Sequence, residues 1–450
     1  MRVLLVSINR LTSPYPVYPL GLDYVAAAIG ERHQVRLVDL VGSPDDTPLE
    51  RALAAFDPEL VGISLRNIDN TDSSDARGYL DELRRVVARV RACSSAPVVL
   101  GGAGFTLFPG AVMRTTGADY GVVGEGERAA ALVDALAAGR SVAGLEGVLV
   151  GGGPDAEPPP PYAGDCRRRL PQPPERAAFY LQRGGMLNLQ TKRGCPFRCC
   201  YCTYPLIEGR RLRRFAPERV AAEALQLQQL GGRYLFFADS VFNSDHGHAA
   251  AVARALRDAG VTIPWGAFFA PLRPPPDFYH TLAACGCSHV EFGTDTLSPR
   301  MLATYAKGFA VGDALAAHRD ALAAGLHVAH YFMLGGPGES PATVDETLDA
   351  AAGLERAVCF FFCGIRIYPR TALWRTAVEQ GQIDPAADLL DPVFYRPDDI
   401  ALEAIVDRVQ ERGADRLDWV IGAGGEQTDR ILERMYARGR TGPLWEFLIR

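Results

Sequence analysis

The sequence predicts an α/β protein of two unlike parts. A doubly wound Rossmann-like (flavodoxin-like) domain comes first, followed by a partial (β/α)6 barrel and a small helical C-terminal region. Three observations carry this. Short apolar runs alternate with helix-period stretches along most of the 450 residues, the pattern of parallel sheets covered by helices. A glycine- and proline-dense stretch interrupts the alternation once, and the pattern then restarts. Just after the restart lies TKRGCPFRCCYCTYPLIEGR, Thr191–Arg210, with three cysteines at short spacing. The expected divisions are 1–150 for the first domain, 151–185 for the linker, 186–380 for the barrel and 381–450 for a C-terminal lid or helical region.

Composition narrows the classes. Apolar content of 48% with 22% charged residues suits a well-cored globular protein. A formal net charge of −6 argues against a general nucleic-acid or membrane-surface binder. MRVLLVSINR is too short an apolar run for a secretory signal and reads as a first strand. No apolar run reaches the about 18 residues of a spanning helix. Ten scattered cysteines make no disulfide framework and place the chain in a reducing cytoplasm.

In the first domain, strands are expected at Val3–Ile8, Val35–Leu40, Leu60–Leu65, Val98–Leu100 and Tyr120–Val123. Helices are expected around Gly21–Ile29, Thr47–Phe56, Ala76–Val90 and Glu127–Leu136. Ligands of such domains sit beyond the carboxyl ends of the strands. Those edges carry Asn9–Gly21, Asp39–Gly42, Arg66–Asp72, Gly101–Phe105 and Gly124–Glu127, where glycines admit close backbone approach. The linker holds GGGPDAEPPPPY and CRRRLPQPP, too rich in glycine and proline to pack, with Arg167–Arg169 read as a solvated basic turn.

The barrel strands are expected at Met186–Thr191, Tyr234–Ala238, Trp265–Phe269, His289–Gly293, Val328–Leu334 and Phe360–Ile367. One intervening helix is well punctuated, with Pro217 near its start and Gly231-Gly232 after its end. Reactive groups should gather at the carboxyl ends of these strands. His330, Tyr331 and Cys363 lie on inner-strand candidates and are expected to line a substrate cavity. Beyond Trp374, Val393–Tyr395 is too short and too closely flanked by prolines for a strand. Ile400–Arg412 and Thr428–Arg450 read as helices that close one mouth of the barrel.

Cys195, Cys199 and Cys202 form a C-x3-C-x2-C array. Three thiolates ligate three irons of a [4Fe–4S] cubane and leave the fourth open. A structural zinc ion would need four ligands, usually from two paired knuckles, and no second C-x2-C exists. Arg210, Arg211, Arg213 and Arg214 follow this loop and suit a carboxylate, a phosphate or a solvated face.

The array resembles the signature of the radical S-adenosylmethionine (radical SAM) superfamily. That resemblance implies a [4Fe–4S] cluster, SAM chelating the open iron, and a small electron donor of the flavodoxin or ferredoxin type. It implies SAM contacts at Tyr201 beside Cys202, at Asp239 and Ser240 in FADSVF, and at Glu291 and Thr294 in EFGTDTLS. It implies further contacts at Gly335 and Gly336 in GGPGES and at Arg366 in RIYPRT.

A five-stranded domain directly before such an array resembles the cobalamin-binding subfamily. P-x-G-L-x-Y at Pro19–Tyr24, Gly101-Gly102 and GEGE carry this likeness. It implies cobalamin against Asn9, Leu40, Ser64, Arg66, Asn67, Gly101, Gly102, Gly124 and Glu125. The D-x-H-x-x-G motif is absent, and His33 stands before the second strand, so no histidine of this domain is expected on cobalt. The implied activity is methyl transfer to an unactivated carbon of a small-molecule or lipid-like substrate. The same cofactors used for cyclisation, ring contraction or rearrangement form the alternative, and a non-catalytic cobalamin or redox sensor a third. The cluster loop also resembles members labelled for lipid biosynthesis.

Overall fold

The computed structural model describes residues 1–152, 157–170, 175–422 and 426–449. Parts of the expected linker, 153–156 and 171–174, lie outside the described residues.

The first sheet holds β1 (Arg2–Ser7), β2 (Gln34–Asp39), β3 (Leu60–Ser64), β4 (Val98–Gly101), β5 (Tyr120–Val122) and β6 (Val148–Val150), in the order β2-β1-β3-β4-β5-β6. The first five are parallel, and near-continuous runs such as VLLV in β1 are buried on both faces. Strand order reverses between β1 and β3, which opens a crevice at their carboxyl ends. The antiparallel β6, absent from the expected set, pairs with β5 and covers its edge.

The second sheet is parallel throughout: β7 (Met186–Leu189), β8 (Tyr234–Phe237), β9 (Trp265–Phe269), β10 (Cys287–Asp295), β11 (His327–Leu334), β12 (Ala357–Cys363) and β13 (Trp419–Ile421), in sequence order. The barrel thus has seven strands where six were expected. The extra strand, only WVI, follows the helix Leu402–Arg412 and was too short to stand out in the chain. Phe394, in the stretch rejected as a strand, makes one isolated bridge to Arg366.

Side chains alternate between two environments along each barrel strand. Val290, Phe292, Val328, Phe332, Cys359 and Phe361 pack into the core shared with the helices. Glu291, Tyr331, Phe360 and Phe362 take the opposite parity and face the lumen, where Tyr331 stacks on Phe360 at 4.8 Å and donates to Glu291 at 2.9 Å.

Two expectations are corrected outside the barrel. Arg168 is no solvated turn: its side chain is 0% exposed and pairs with Asp23 at 3.0 Å. The linker also yields a packed element, since helix Glu175–Gln182 seats Ala177 and Tyr180 in the barrel core.

The C-terminal segment Leu444–Leu448 closes the barrel at the amino ends of the strands. Trp445 donates Nε1–H to Glu291 at 3.0 Å, and Glu446 pairs with His327 at 2.9 Å. The Glu446 hydrogen bond holds the His327 pKa above its usual 6.5. A raised pKa means the stabilisation is complete below about 6.5 and is lost as pH rises through the folded value. Because His327 is half-exposed, the effect should stay near 0.5 kcal/mol. Hydrogen exchange of Leu444–Leu448, corrected for intrinsic rate, should therefore quicken about twofold between pH 6 and pH 8. In His327→Gln that pH dependence should vanish.

Candidate functional site

The two sheets meet edge to edge, carboxyl ends inward, across buried ion pairs. Arg193, two residues before Cys195, places one Nη 2.7 Å from Glu125 and the other 2.7 Å from Glu127, with all three side chains at most 7% exposed. Arg213 adds a second cation to Glu125 at 2.8 Å, and the Tyr162 amide donates to it at 2.6 Å. Burial raises the Glu125 carboxyl, but Arg213 and Arg193 outweigh it and hold the group below the usual carboxylate range. On the other flank Arg366 pairs with Asp69 at 2.8 Å and donates to the Leu389 carbonyl at 2.6 Å. Glycine is required at 194, where φ is +91° and a Cβ would lie 2.2 Å from the Arg211 carbonyl oxygen.

The cluster loop is pinned on both sides. The Cys195 amide donates to Gly209 O at 3.0 Å, and Cys202 N to Cys199 O at 3.2 Å. Cys200 is the odd thiol. Its amide donates to Tyr305 O, its carbonyl accepts from Leu373 N, and its side chain packs against the first domain's core. Tyr201 donates to Asp295, which also pairs with the buried Lys307 at 2.6 Å. Neither Asp295, the last residue of β10 within EFGTDTLS, nor Lys307 was singled out in the sequence. Burial, then the neighbouring Cys199, pushes the Cys202 thiol up to about 12. A metal centre must therefore displace the proton. No three His, Cys, Asp or Glu side chains among the described residues converge on one ion.

Several residues expected near SAM are occupied elsewhere. Asp239 pairs with Lys192 at 2.8 Å and accepts from Thr191 N at 2.7 Å, tying β7 to β8. Thr294 turns to the helix layer and bonds His330 at 2.7 Å. Gly335 N donates to Glu339 at 3.0 Å and Gly336 N to the Tyr305 hydroxyl at 3.2 Å, which closes their turn internally. Arg366 is consumed by Asp69. Tyr201, Ser240 and Glu291 remain at the loop or in the lumen, Ser240 bonding Gly194 O at 3.3 Å.

Two connected cavities lie at the seam. One, about 430 Å³, is bordered by Asn9, Ser64, Arg66 and Asn67 from the first domain and by Gln190 and Tyr204 from the second. The other, about 210 Å³, enters at Gly101, Gly102 and Gly124 and runs beneath the first sheet along Val3, Leu60 and Val99. Doubly wound domains normally fill that space with side chains. Here the Tyr24 hydroxyl stands buried in its wall without a partner. Of the residues expected on cobalamin, Leu40 is buried in the core and lines neither cavity, and Glu125 spends its carboxylate on the two arginines. His33 is held by the N-terminal amine and Asp134, away from both cavities. Among the substrate residues Tyr331 faces the lumen. His330 and Cys363 do not: His330 bonds Thr294 and His318 in the helix layer, and Cys363 packs in the helix-side core.

A three-thiolate loop whose neighbours Arg193, Thr203 and Glu208 border an apolar slot and a polar seam suits an enzyme that holds a metal cluster beside a second large ligand. The family described as "Radical SAM superfamily" matches residues 189–351, and "B12 binding domain" matches residues 6–134. The chain belongs to the radical SAM superfamily, in its cobalamin-dependent branch, and its cofactors are a [4Fe–4S] cluster, SAM and cobalamin.

It is 28% identical to tryptophan 2-C-methyltransferase of Streptomyces laurentii, over 84% of this chain and 74% of that protein. To an uncharacterised methyltransferase of Pyrococcus horikoshii it is 29% identical, over 80% and 78%. The solved radical SAM methyltransferase TsrM from Kitasatospora setae, with tryptophan and a SAM analogue bound, superposes with a TM-score of 0.88 at 26% identity, covering 99% and 97%. The cobalamin-dependent radical enzyme OxsB shares the fold, with a TM-score of 0.73 at 14% identity over 99% and 72%. The chain is a radical SAM enzyme of methyltransferase type.

The fit of the residues to the cofactors rests on two observations: three cysteines that spare one iron, and an unfilled slot with an orphaned hydroxyl. Two measurements follow. After anaerobic reconstitution, Cys202→Ala should lose essentially all cluster iron and sulfide, whereas Cys200→Ala should retain them. Arg366→Met leaves Asp69 buried without its cation, which typically costs about 3–5 kcal/mol. Denaturant unfolding should show that loss, and Asp69→Asn should lose less.

Proposed function

We propose that this enzyme transfers a methyl group from SAM, by way of cobalamin, to a carbon of a small planar aromatic molecule held in the barrel lumen. The lumen carries this reading. Phe236, Phe268, Tyr331, Phe360 and Phe362 present ring faces and edges to it, with centroid separations of 4.8–6.3 Å. Phe268, in the middle of β9, is 37% exposed, so its ring borders open space. Glu291 supplies one carboxylate among these rings, and Tyr15 from the Asn9–Gly21 loop reaches the same region. Aromatic walls with one fixed polar anchor suit a flat ligand that must be oriented. The tryptophan bound by TsrM supports the same class.

When bound, the cofactors supply the methyl group, its cobalt carrier and a one-electron reductant. The chain orients and shields. Tyr331 and Trp445 direct the Glu291 oxygens by donating one hydrogen bond to each. The C-terminal plug keeps water from the lumen floor. Tyr201, Ser240 and Glu291 remain the proposed SAM contacts. Asn9, Ser64, Arg66, Asn67, Gly101, Gly102 and Gly124 remain those for cobalamin. No helix among the described residues is long and apolar enough to cross a membrane. An oxidant-labile cluster suits a reducing compartment, which supports a cytoplasmic enzyme served by an external electron donor.

The test is anaerobic turnover of holoenzyme with methyl-labelled SAM and a panel of aromatic amino acids and indoles. S-adenosylhomocysteine with label on substrate carbon is expected; deoxyadenosine alone would establish a rearrangement instead. Phe268→Ala should raise KM about tenfold, in line with a loss of 1–2 kcal/mol of aromatic contact. Its cluster content should not change.

A further inference from the structure

The loop that carries the three cysteines lies against a short stretch of chain far from it in sequence, residues 305–308. Contact is made at three points. Cys200 N donates to the Tyr305 carbonyl at 3.1 Å, and the rings of Tyr201 and Tyr305 meet edge to face at 6.0 Å. Lys307 Nζ stands 3.5 Å from the Tyr201 hydroxyl. The Gly308 backbone faces the Phe197 ring, which an added Cβ would touch at 3.6 Å.

This stretch delivers a buried ion pair to the middle of the array. The Lys307 side chain is 9% exposed, and its counter-ion Asp295, at 2.6 Å, is 4% exposed. Asp295 also accepts from Tyr201, the residue between Cys200 and Cys202. Burial would take the proton from Lys307, but Asp295 and then Cys199 outweigh it, so the amine stays charged. The backbone bends to make the pair: φ is +63° at Asp295 and +55° at Ala306, beside Lys307. Residues with a Cβ keep such values only where the surroundings impose them, and they cluster at functional sites. A buried ion pair is a poor stabiliser compared with apolar side chains of the same volume, which points past a structural role.

We propose that Lys307 and Asp295 set the reduction potential of the cluster, Lys307 raising it and Asp295 holding back part of that rise. This rests on the cluster assignment above. In the step concerned an external one-electron reductant gives up one electron and the cluster passes from the 2+ to the 1+ state. No bond breaks and no proton moves. The added negative charge is favoured by a nearby cation and opposed by a nearby anion, the more so where burial excludes screening water. The two charges do not cancel at the ligands. Burial raises the Cys199 thiol; Lys307 opposes that rise and outweighs Asp295, which adds to it. Burial likewise raises the Cys202 thiol, and Lys307 again pulls against it.

The test is a redox titration of reconstituted enzyme with dithionite and mediators, read by electron paramagnetic resonance of the reduced cluster. It is run without SAM, so that a contact with SAM cannot mimic the shift, and iron and sulfide are counted first. Asp295→Asn should raise the midpoint and Lys307→Met should lower it, each by about 59 mV, a tenfold change in the one-electron equilibrium. Lys307→Arg, which keeps the charge, should stay near the wild type, and the double variant should fall between the two single ones. A purely structural brace would show lost iron rather than shifts of opposite sign. Unmoved midpoints, or shifts of the same sign, in the two single variants would overturn the proposal. Should Lys307→Met fail to hold its cluster, Asp295→Asn decides alone, and a midpoint no higher than wild type overturns it. A wild-type protein that retains no iron and sulfide would overturn instead the cluster assignment.

Discussion

The buried clamp of Arg193 on Glu125 and Glu127 is the constraint from which the rest of the site follows. One end of it belongs to the loop that carries Cys195, the other to the carboxyl edge of the first sheet. Charges this buried hold only if they are paired, so the two sheet edges cannot drift apart without stranding three ions in a low-dielectric seam. Arg366 with Asp69 repeats the device on the far flank. Together they fix the three thiols opposite the crevice at the β1/β3 switch point. The domains need no shared strand, because the ion pairs do the aligning.

Clamping two edges leaves space between them, and glycine lets the backbone pack tightly at its entrance. Gly102 sits at φ +104°, where a Cβ would meet the Leu65 carbonyl oxygen at 2.4 Å, so the backbone itself forms the lip of the slot. The lumen behind the cluster loop is treated differently. Aromatic rings fill its walls, and the C-terminal Trp445 and Glu446 seal its base. A wide polar seam, a narrow apolar slot and an aromatic cup are three spaces of different chemistry. They suit a corrin disc, its nucleotide arm and a flat methyl acceptor respectively.

Much of this was legible in the chain because period and punctuation are local. The parallel strands, the seat of the ligand edges and the three cysteines all follow from spacing alone. What could not be read were pairings across distance. Asp239 and Arg366 stand at strand ends where a ligand contact is plausible, yet Lys192 and Asp69 claim them. His330 sits one residue from Tyr331, and the two-residue period of a strand sends one inward and the other to the helices. Parity of a buried strand is hard to assign when both faces are apolar, as in HVAHYFML. Asp295, at the end of β10, and Lys307 brace the cluster loop through a pairing that only the folded chain reveals, and β13 is three residues long.

The central claim is that cluster and cobalamin share one seam. Electron paramagnetic resonance on holoenzyme holding both a reduced cluster and cob(II)alamin tests it without reference to turnover. The account predicts dipolar coupling between the two paramagnets, seen as faster relaxation of the cobalt signal. Two independent, unbroadened signals from a protein loaded with both cofactors would contradict it.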